Sequence, residues 1–199
     1  WSQLDFLENS KMLNDKLPIY PSKDLVKLKS SKNKKINIGF NSSDLKSKHS
    51  VTYFFKSIIL NYDKEKFNIH IYHNHNVEDD TTKEYKRYVS NISHISHLKD
   101  VEVINKIRND GIDIIIDING FSSNHRLALF KNRLAPIQIL WCGYTNTTGI
   151  NEVDYLIVDK NLIDPKEENL YSEKIIYLPN IWNCHSGYAF KRLENKMHF

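Results

Sequence analysis

With 199 residues, 40% of them hydrophobic and 26% charged, the sequence has the size and composition of a globular protein of one domain or a little more. Two cysteines are too few for a disulfide scaffold, and no apolar run approaches the roughly 18 residues of a membrane span, so we expect a cytoplasmic protein without a membrane partner. The net charge of +4 comes from a lysine-rich stretch at 23–35 that lacks arginines and interleaved aromatic residues, which does not favour nucleic-acid binding.

The first 34 residues predict a connector that leads into a domain. A short helix fits residues 4–13, and two prolines and the lysine-rich stretch follow it. From Lys35 onward, the pattern changes to alternating strands and helices. The predicted elements in chain order are a strand at 36–40, a helix at 51–60, a strand at 67–72, a helix at 81–89, a strand at 92–98, a helix at 101–107, a strand at 112–118, a helix at 125–130, and strands at 137–141, 155–158 and 174–178.

This alternation predicts an α/β fold with a doubly wound, mostly parallel, Rossmann-like sheet. The apolar run at 112–118 is typical of a central strand that is buried on both faces. Ligands of such sheets bind in the loops at the carboxyl ends of the strands. We therefore expect function in the loops at 42–50, 119–124 and 142–149.

Glycine-rich phosphate loops are absent from the sequence. The six glycines form neither G-x-G-x-x-G nor G-x-x-x-x-G-K, which argues against hydride transfer on NAD and against P-loop phosphoryl transfer. If the protein uses a nucleotide, its phosphates are held away from the first strand–helix turn or by another part of the protein.

Five histidines form two clusters, at His70, His73 and His75 and at His94 and His97. In a strand, His73 and His75 would share a face and could bind a metal ion. No Cys-x-x-Cys or His-Glu-x-x-His motif accompanies them, however. We therefore predict no metal site and interpret these histidines as solvated residues at the sheet edge.

His49 lies in the loop after the first predicted strand, directly before Ser50 and a helix, with Asp44 five residues upstream. An imidazole at this place can orient a diphosphate-linked sugar or an acceptor hydroxyl, and a helix N-terminus favours anions. The alternative is a surface histidine beside an N-cap serine.

The loop after the strand at 137–141 is dense in small polar residues. Gly143 permits close approach of the backbone to a ligand, and the hydroxyls of Thr147 and Thr148 can bind sugar hydroxyls or a phosphate oxygen. The alternative is a hydroxyl-rich turn without a ligand.

Several spaced motifs resemble those of the protein O-GlcNAc transferase family, including its SPINDLY branch. Residues 135–149 resemble its A-P-[IV]-Q-x-x-W-x-G-Y-x-x-[ST]-[ST]-G signature, and residues 154–179 its D-Y-x-x-x-D, Y-S-E-K and L-P motifs. Upstream, residues 42–54 resemble S-x-D followed by H-S-[VC]-x-Y-F. The Thr-Thr-Gly and His-Ser-Val forms are closer to the SPINDLY branch.

The resemblance implies one lobe of a two-lobed GT-B glycosyltransferase, an inverting, metal-independent enzyme that uses a nucleotide sugar as its substrate and needs no cofactor. The implied donor is UDP-GlcNAc and the acceptor is Ser or Thr of a protein. O-fucosyl transfer from GDP-fucose and a non-catalytic scaffold are the alternatives. The implied C-terminal lobe, which holds the nucleotide, and upstream tetratricopeptide repeats lie outside this chain, so we expect the 199 residues alone to be inactive.

Within the chain, the resemblance implies a connector at 1–34, the N-terminal lobe at 35–186, and at 187–199 the start of an inter-lobe region or the end of a fragment. It assigns catalytic roles to His49 and Asp44. It places Gly143 against the donor sugar. Lining residues of the same loop are implied to be Cys142, Tyr144, Thr147 and Thr148.

Two features depart from the family pattern. Asp44 and His49 are five positions apart where the family has four, which predicts an extra residue around 46–48. A second histidine of the animal enzyme, in its G-I-H-I strand, falls on Asp113, which again resembles the SPINDLY branch.

Overall fold

A computed structural model describes residues 2–28 and 35–187. Seven strands form one sheet in the order β3-β2-β1-β4-β5-β6-β7, and every neighbouring pair is parallel. The strands are β1 Ile36–Ser42, β2 Phe67–His73, β3 Asn91–His94, β4 Ile114–Asp117, β5 Ile137–Leu140, β6 Tyr155–Val158 and β7 Lys174–Tyr177. The α-helices are α1 Gln3–Asn14, α2 Ser50–Asn61, α3 Asp80–Tyr85 and α4 Asp100–Asn109, with 3₁₀ helices at Ser22–Asp24, Leu127–Asn132 and Pro165–Leu170. The predicted parallel, Rossmann-like α/β fold is confirmed.

Three predicted elements differ in type or length. The helix expected at 125–130 is a 3₁₀ helix at Leu127–Asn132, and the residue after it, Arg133, has a left-handed φ of 49°. Helix α3 is shorter than the expected 81–89, because the chain must turn before Ser90, whose N–H bonds to a carbonyl of β2. Strand β3 ends at His94 instead of residue 98, since a turn closes between the Leu98 N–H and the Ile95 carbonyl.

Helices cover both faces of the sheet, as the apolar strand pattern predicts. On one face, α2 packs Phe55 against Phe40 of β1 with ring centroids 4.8 Å apart and edge-on. On the other face, Ile104 and Ile107 of α4 pack with Ile115 of β4. Burial of each such side chain contributes about 1.5–3 kcal/mol. The two cores hold β1 and β4 at the centre of the sheet.

The N-terminal segment packs directly on the domain. Leu7 of α1 is buried, and the Ser10 hydroxyl donates to the carbonyl of Thr147 at 3.4 Å. A Cβ on Gly149, whose φ is +69°, would lie 2.4 Å from the carbonyl carbon of Ser10. Although residues 1–34 were interpreted as a connector, helix α1 thus supports one of the three loops expected to carry function.

No helix in residues 2–28 and 35–187 combines the length and the apolar character needed to cross a membrane.

The interpretation of the histidines as solvated edge residues is wrong for His73. Its side chain is fully buried at the end of β2, with ring centroids 5.8 Å from His75 and 5.5 Å from His94. Neither ring nitrogen has a hydrogen-bond partner among the described residues. Across those residues, no group of three His, Cys, Asp or Glu side chains is placed to hold a metal ion.

Burial of His73 predicts loss of stability in acid. Burial, and then the neighbouring His94 and His75, lower the pKa of His73 to about 4, whereas Asp79 raises it. The unfolded chain binds this proton near pH 6.5 and the folded chain only near pH 4, so the free energy of unfolding should fall by about 3 kcal/mol across that window. Urea unfolding of His73→Leu, measured from pH 7 to pH 4, should lack this decline.

The comparison with wild type isolates one histidine, because all other titrating groups are shared. His97, which is exposed, provides the control variant His97→Gln. A decline of equal size in wild type and His73→Leu would contradict the prediction.

Candidate active site

Asp44 and His49 come together at the carboxyl end of β1. The Asp44 side chain is buried, and its carboxylate accepts hydrogen bonds from the hydroxyls of Ser43 at 3.1 Å and Ser122 at 3.0 Å. His49 is the N-cap residue of α2 and is one-third exposed, and its Nε2 lies 3.6 Å from Asp44 Oδ1. This separation is longer than a hydrogen bond, and a small movement of either side chain would bring Nε2 and Oδ1 within hydrogen-bond distance.

The extra residue between Asp44 and His49 is accommodated in a turn. Lys48 takes a left-handed conformation with φ of 65°. The Thr52 hydroxyl, in the first turn of α2, shares its proton between the carbonyls of Lys46 at 2.8 Å and Asp44 at 3.2 Å. The longer spacing therefore still brings the imidazole to the carboxylate.

A network from the loop after β4 holds Asp44 in place; function was expected in this loop, but none of its residues was named as a site residue. The Asn119 amide accepts from the Ser43 N–H at 2.6 Å and donates to the hydroxyls of Ser43 at 2.8 Å and Ser122 at 2.7 Å. Both hydroxyls in turn donate to Asp44. The available signal was the polar Asn-Gly-Phe-Ser-Ser run directly after the most apolar strand.

Asp117, the last residue of β4, holds this loop through hydrogen bonds to its backbone. One of its oxygens accepts from the N–H groups of Asn119 at 3.1 Å and Gly120 at 2.5 Å, and the other accepts from the Asn41 amide at 2.8 Å. Complete burial raises the pKa of Asp117 to about 6, although these hydrogen bonds oppose the shift. The carboxylate serves as a structural acceptor beneath the site.

The loop at 142–149 packs against the same β4 loop. A Cβ on Gly143 would lie 2.0 Å from the carbonyl oxygen of Ile118, so only glycine fits there. A Cβ on Gly120 would meet Tyr144 at 1.9 Å, and the Tyr144 ring lies edge-on to Phe121 at 5.3 Å. The β4 loop therefore contacts both the Asp44 loop and the Gly143 loop, so that the three loops expected to carry function meet at one edge of the sheet.

Cys142 begins this third loop with a φ of 68° and is 8% exposed. Burial raises the pKa of its thiol to about 12. Because the thiolate is the reactive form of cysteine, this shift disfavours a nucleophilic role, and the role of Cys142 as a lining residue stays a prediction.

The hydroxyls of Thr147 and Thr148 are fully buried and bonded within the protein. Both donate to the carboxylate of Glu173, Thr147 at 2.9 Å, and the N–H of Thr148 donates to the same group at 2.8 Å. Ser172 adds a further bond to that carboxylate at 3.0 Å. Sugar binding by the two threonines stays a prediction, and the structure gives their hydroxyls a structural partner just before β7.

Asp113 lies at the opposite edge of the sheet. It precedes β4, and its carboxylate accepts from the N–H of Asn37 at 2.8 Å, near the start of β1. Because all strands are parallel, this amino edge is separated from the loops by the length of the strands.

These features define a class: a Rossmann-like α/β domain with its candidate site at the carboxyl edge of the sheet. A family model described as glycosyl transferase family 41 matches residues 7–198. The chain belongs to this family.

Relatives of known sequence agree with this membership. The SPINDLY protein of Arabidopsis thaliana, a probable UDP-N-acetylglucosamine–peptide N-acetylglucosaminyltransferase, is 30% identical over 157 residues, which are 76% of this chain and 17% of that protein. The UDP-N-acetylglucosamine–peptide N-acetylglucosaminyltransferase of Caenorhabditis elegans is 30% identical over 151 residues, 73% of this chain and 13% of that protein. The chain thus spans about a sixth of these relatives or less.

A solved structure has the same fold. It is a mutant of the O-GlcNAc transferase of Thermobaculum terrenum, which superposes with a TM-score of 0.83 at 26% sequence identity. The match covers 92% of this chain and 35% of that one.

Proposed function

We propose that the complete protein transfers N-acetylglucosamine from UDP-GlcNAc to Ser or Thr hydroxyls of proteins, and that this chain forms the acceptor-side half of the active site. The observation that carries the proposal is the buried Asp44 carboxylate with the His49 imidazole 3.6 Å away, at the carboxyl edge of a family 41 sheet. The activity in the names of the relatives supports this choice of donor.

In the proposed reaction, the acceptor oxygen attacks the anomeric carbon, and the bond from that carbon to the diphosphate breaks with inversion. His49 receives the hydroxyl proton, and Asp44 stabilises the resulting imidazolium. General base assistance of this kind contributes about 10²–10⁴-fold to rate. The loop at 142–149 positions the sugar through the backbone at Gly143, beside Cys142 and Tyr144.

The diphosphate leaving group needs preorganised donors, which usually supply the larger share of the stabilisation. We assign this clamp to a second lobe and the selection of acceptor proteins to tetratricopeptide repeats, both outside this chain. No metal ion has a part in the proposed mechanism.

O-fucosyl transfer from GDP-fucose is the second candidate. It is favoured by the SPINDLY-like His-Ser-Val and Thr-Thr-Gly motifs and by Asp113 in place of a histidine. Under this alternative, Asp44 and His49 keep their roles and only the donor differs.

Transfer assays on the complete protein test the proposal. With EDTA present, radiolabel from UDP-GlcNAc is expected to enter Ser or Thr of acceptor proteins, and label from GDP-fucose is not. Incorporation of fucose alone would replace the first candidate by the second. Absence of transfer from either donor would favour a scaffold, and turnover by the 199 residues alone would contradict the assignment of the clamp to a second lobe.

A further inference from the structure

The loop that carries His49 is hydrogen-bonded to the start of α3. The N–H of Ser47 donates to Asp79 Oδ2 at 2.6 Å, and the hydroxyl of Ser47 lies 3.0 Å from that of Thr81. Asp79 is the N-cap residue of α3, where its other oxygen accepts from the N–H of Thr82 at 3.0 Å. A single carboxylate thus joins the loop to α3.

The hydrogen bond from Ser47 to Asp79 lies in the segment at 46–48, which contains the extra residue. Only Lys48, with its left-handed backbone, separates Ser47 from His49. On the other side, the Thr52 hydroxyl holds the carbonyls of Asp44 and Lys46. The turn is therefore fixed at its start by Thr52 and at its exposed tip by the bond from Ser47 to Asp79.

We propose that Asp79 is a positioning residue: by holding the Ser47 amide, it keeps the His49 imidazole within reach of Asp44 despite the five-residue spacing. This inference rests on the proposed function, in which that pair handles the acceptor proton. Asp79 does not touch the reacting atoms. It acts through the loop, and a carboxylate suits the task because its two oxygens accept from two different N–H groups at once.

Asp79→Asn separates the two tasks of this side chain. Asparagine keeps one of the two oxygens and replaces the other with an NH₂ group, which donates and cannot accept, so in this orientation it can cap α3 or hold Ser47, but not both. Displacement of a catalytic group by about 1 Å can cost roughly 100-fold in rate. In the complete protein, we expect kcat to fall about 10- to 100-fold with the donor KM nearly unchanged, and the pH profile of kcat to shift.

Thr82→Val is the matched control. The Thr82 hydroxyl completes the capping box by accepting from the N–H of Asp79 at 2.8 Å, so its removal weakens α3 without removing the bond to Ser47. We expect kcat within about twofold of wild type. Equal losses in Asp79→Asn and Thr82→Val would mean that Asp79 merely stabilises α3, and would overturn the proposal.

Crystal structures of the wild-type and Asp79→Asn proteins provide a readout that does not depend on activity. The expected change is a displaced turn at 45–49 and a separation of His49 Nε2 from Asp44 Oδ1 well above 3.6 Å. An unchanged separation overturns the positioning role. An inactive wild type with a displaced turn in the variant instead contradicts the proposed function and leaves the role of the hydrogen bond from Ser47 to Asp79 supported.

Discussion

Replacing His49 with alanine is expected to lower the rate of sugar transfer by the complete protein about 10²- to 10⁴-fold, because the acceptor hydroxyl loses its proton acceptor. Asp44→Asn should give a loss in the same direction, since an amide cannot stabilise an imidazolium as a carboxylate does. Initial rates with radiolabelled UDP-GlcNAc measure both effects, with GDP-fucose as donor if that substrate is the active one.

The fold should survive the His49 substitution. Its side chain makes no capping hydrogen bond to α2 and is one-third exposed, so the melting temperature should stay close to that of wild type. His97→Ala, at an exposed histidine, is the control for the loss of any imidazole. Retention of more than half of the activity by His49→Ala would remove this residue from the mechanism, and an unchanged cellular role of both variants would favour the scaffold.

Replacing Glu173 with alanine is expected to destabilise the domain by about 3 kcal/mol. Its buried carboxylate accepts from the hydroxyls of Thr147, Thr148 and Ser172 and from the N–H of Thr148. A buried donor left without a partner costs about 1–3 kcal/mol, and some of these hydroxyls can bond to one another instead. Urea denaturation at neutral pH measures the change in the free energy of unfolding.

Glu167→Ala is the control for Glu173→Ala, since Glu167 is exposed on the 3₁₀ helix that precedes β7. We expect a change within about 0.5 kcal/mol there. The pair of variants also tests the two threonines. If Glu173→Ala has the same free energy of unfolding as wild type, the two hydroxyls do not depend on this carboxylate. They would then be available to bind a sugar.

Local patterns in the sequence were sufficient to predict the parallel α/β architecture. The apolar run at 112–118 and the alternation after Lys35 predicted a parallel sheet because burial on both faces demands such runs. The loops at the carboxyl ends followed from the same parallel arrangement. The family resemblance assigned catalytic roles to Asp44 and His49; those roles stay a prediction, and the structure places the two side chains 3.6 Å apart.

Partners distant in sequence were beyond the reach of those patterns. The buried state of His73 depends on residues of β3 and the loop after β2, and polarity alone suggested an exposed side chain. Glu173 lies 25 and 26 residues from the two threonine hydroxyls that it binds, and Asp79 lies 32 residues from the amide of Ser47.

The sequence by itself thus determined the fold class and the family, and it suggested a pair of residues to move the proton, because apolar periodicity and spaced motifs are local properties of the chain. Only the tertiary structure decided which polar groups are bonded and buried. That outcome depends on which loops the sheet brings side by side, and a buried donor or acceptor must find its partner there, whatever the separation along the chain.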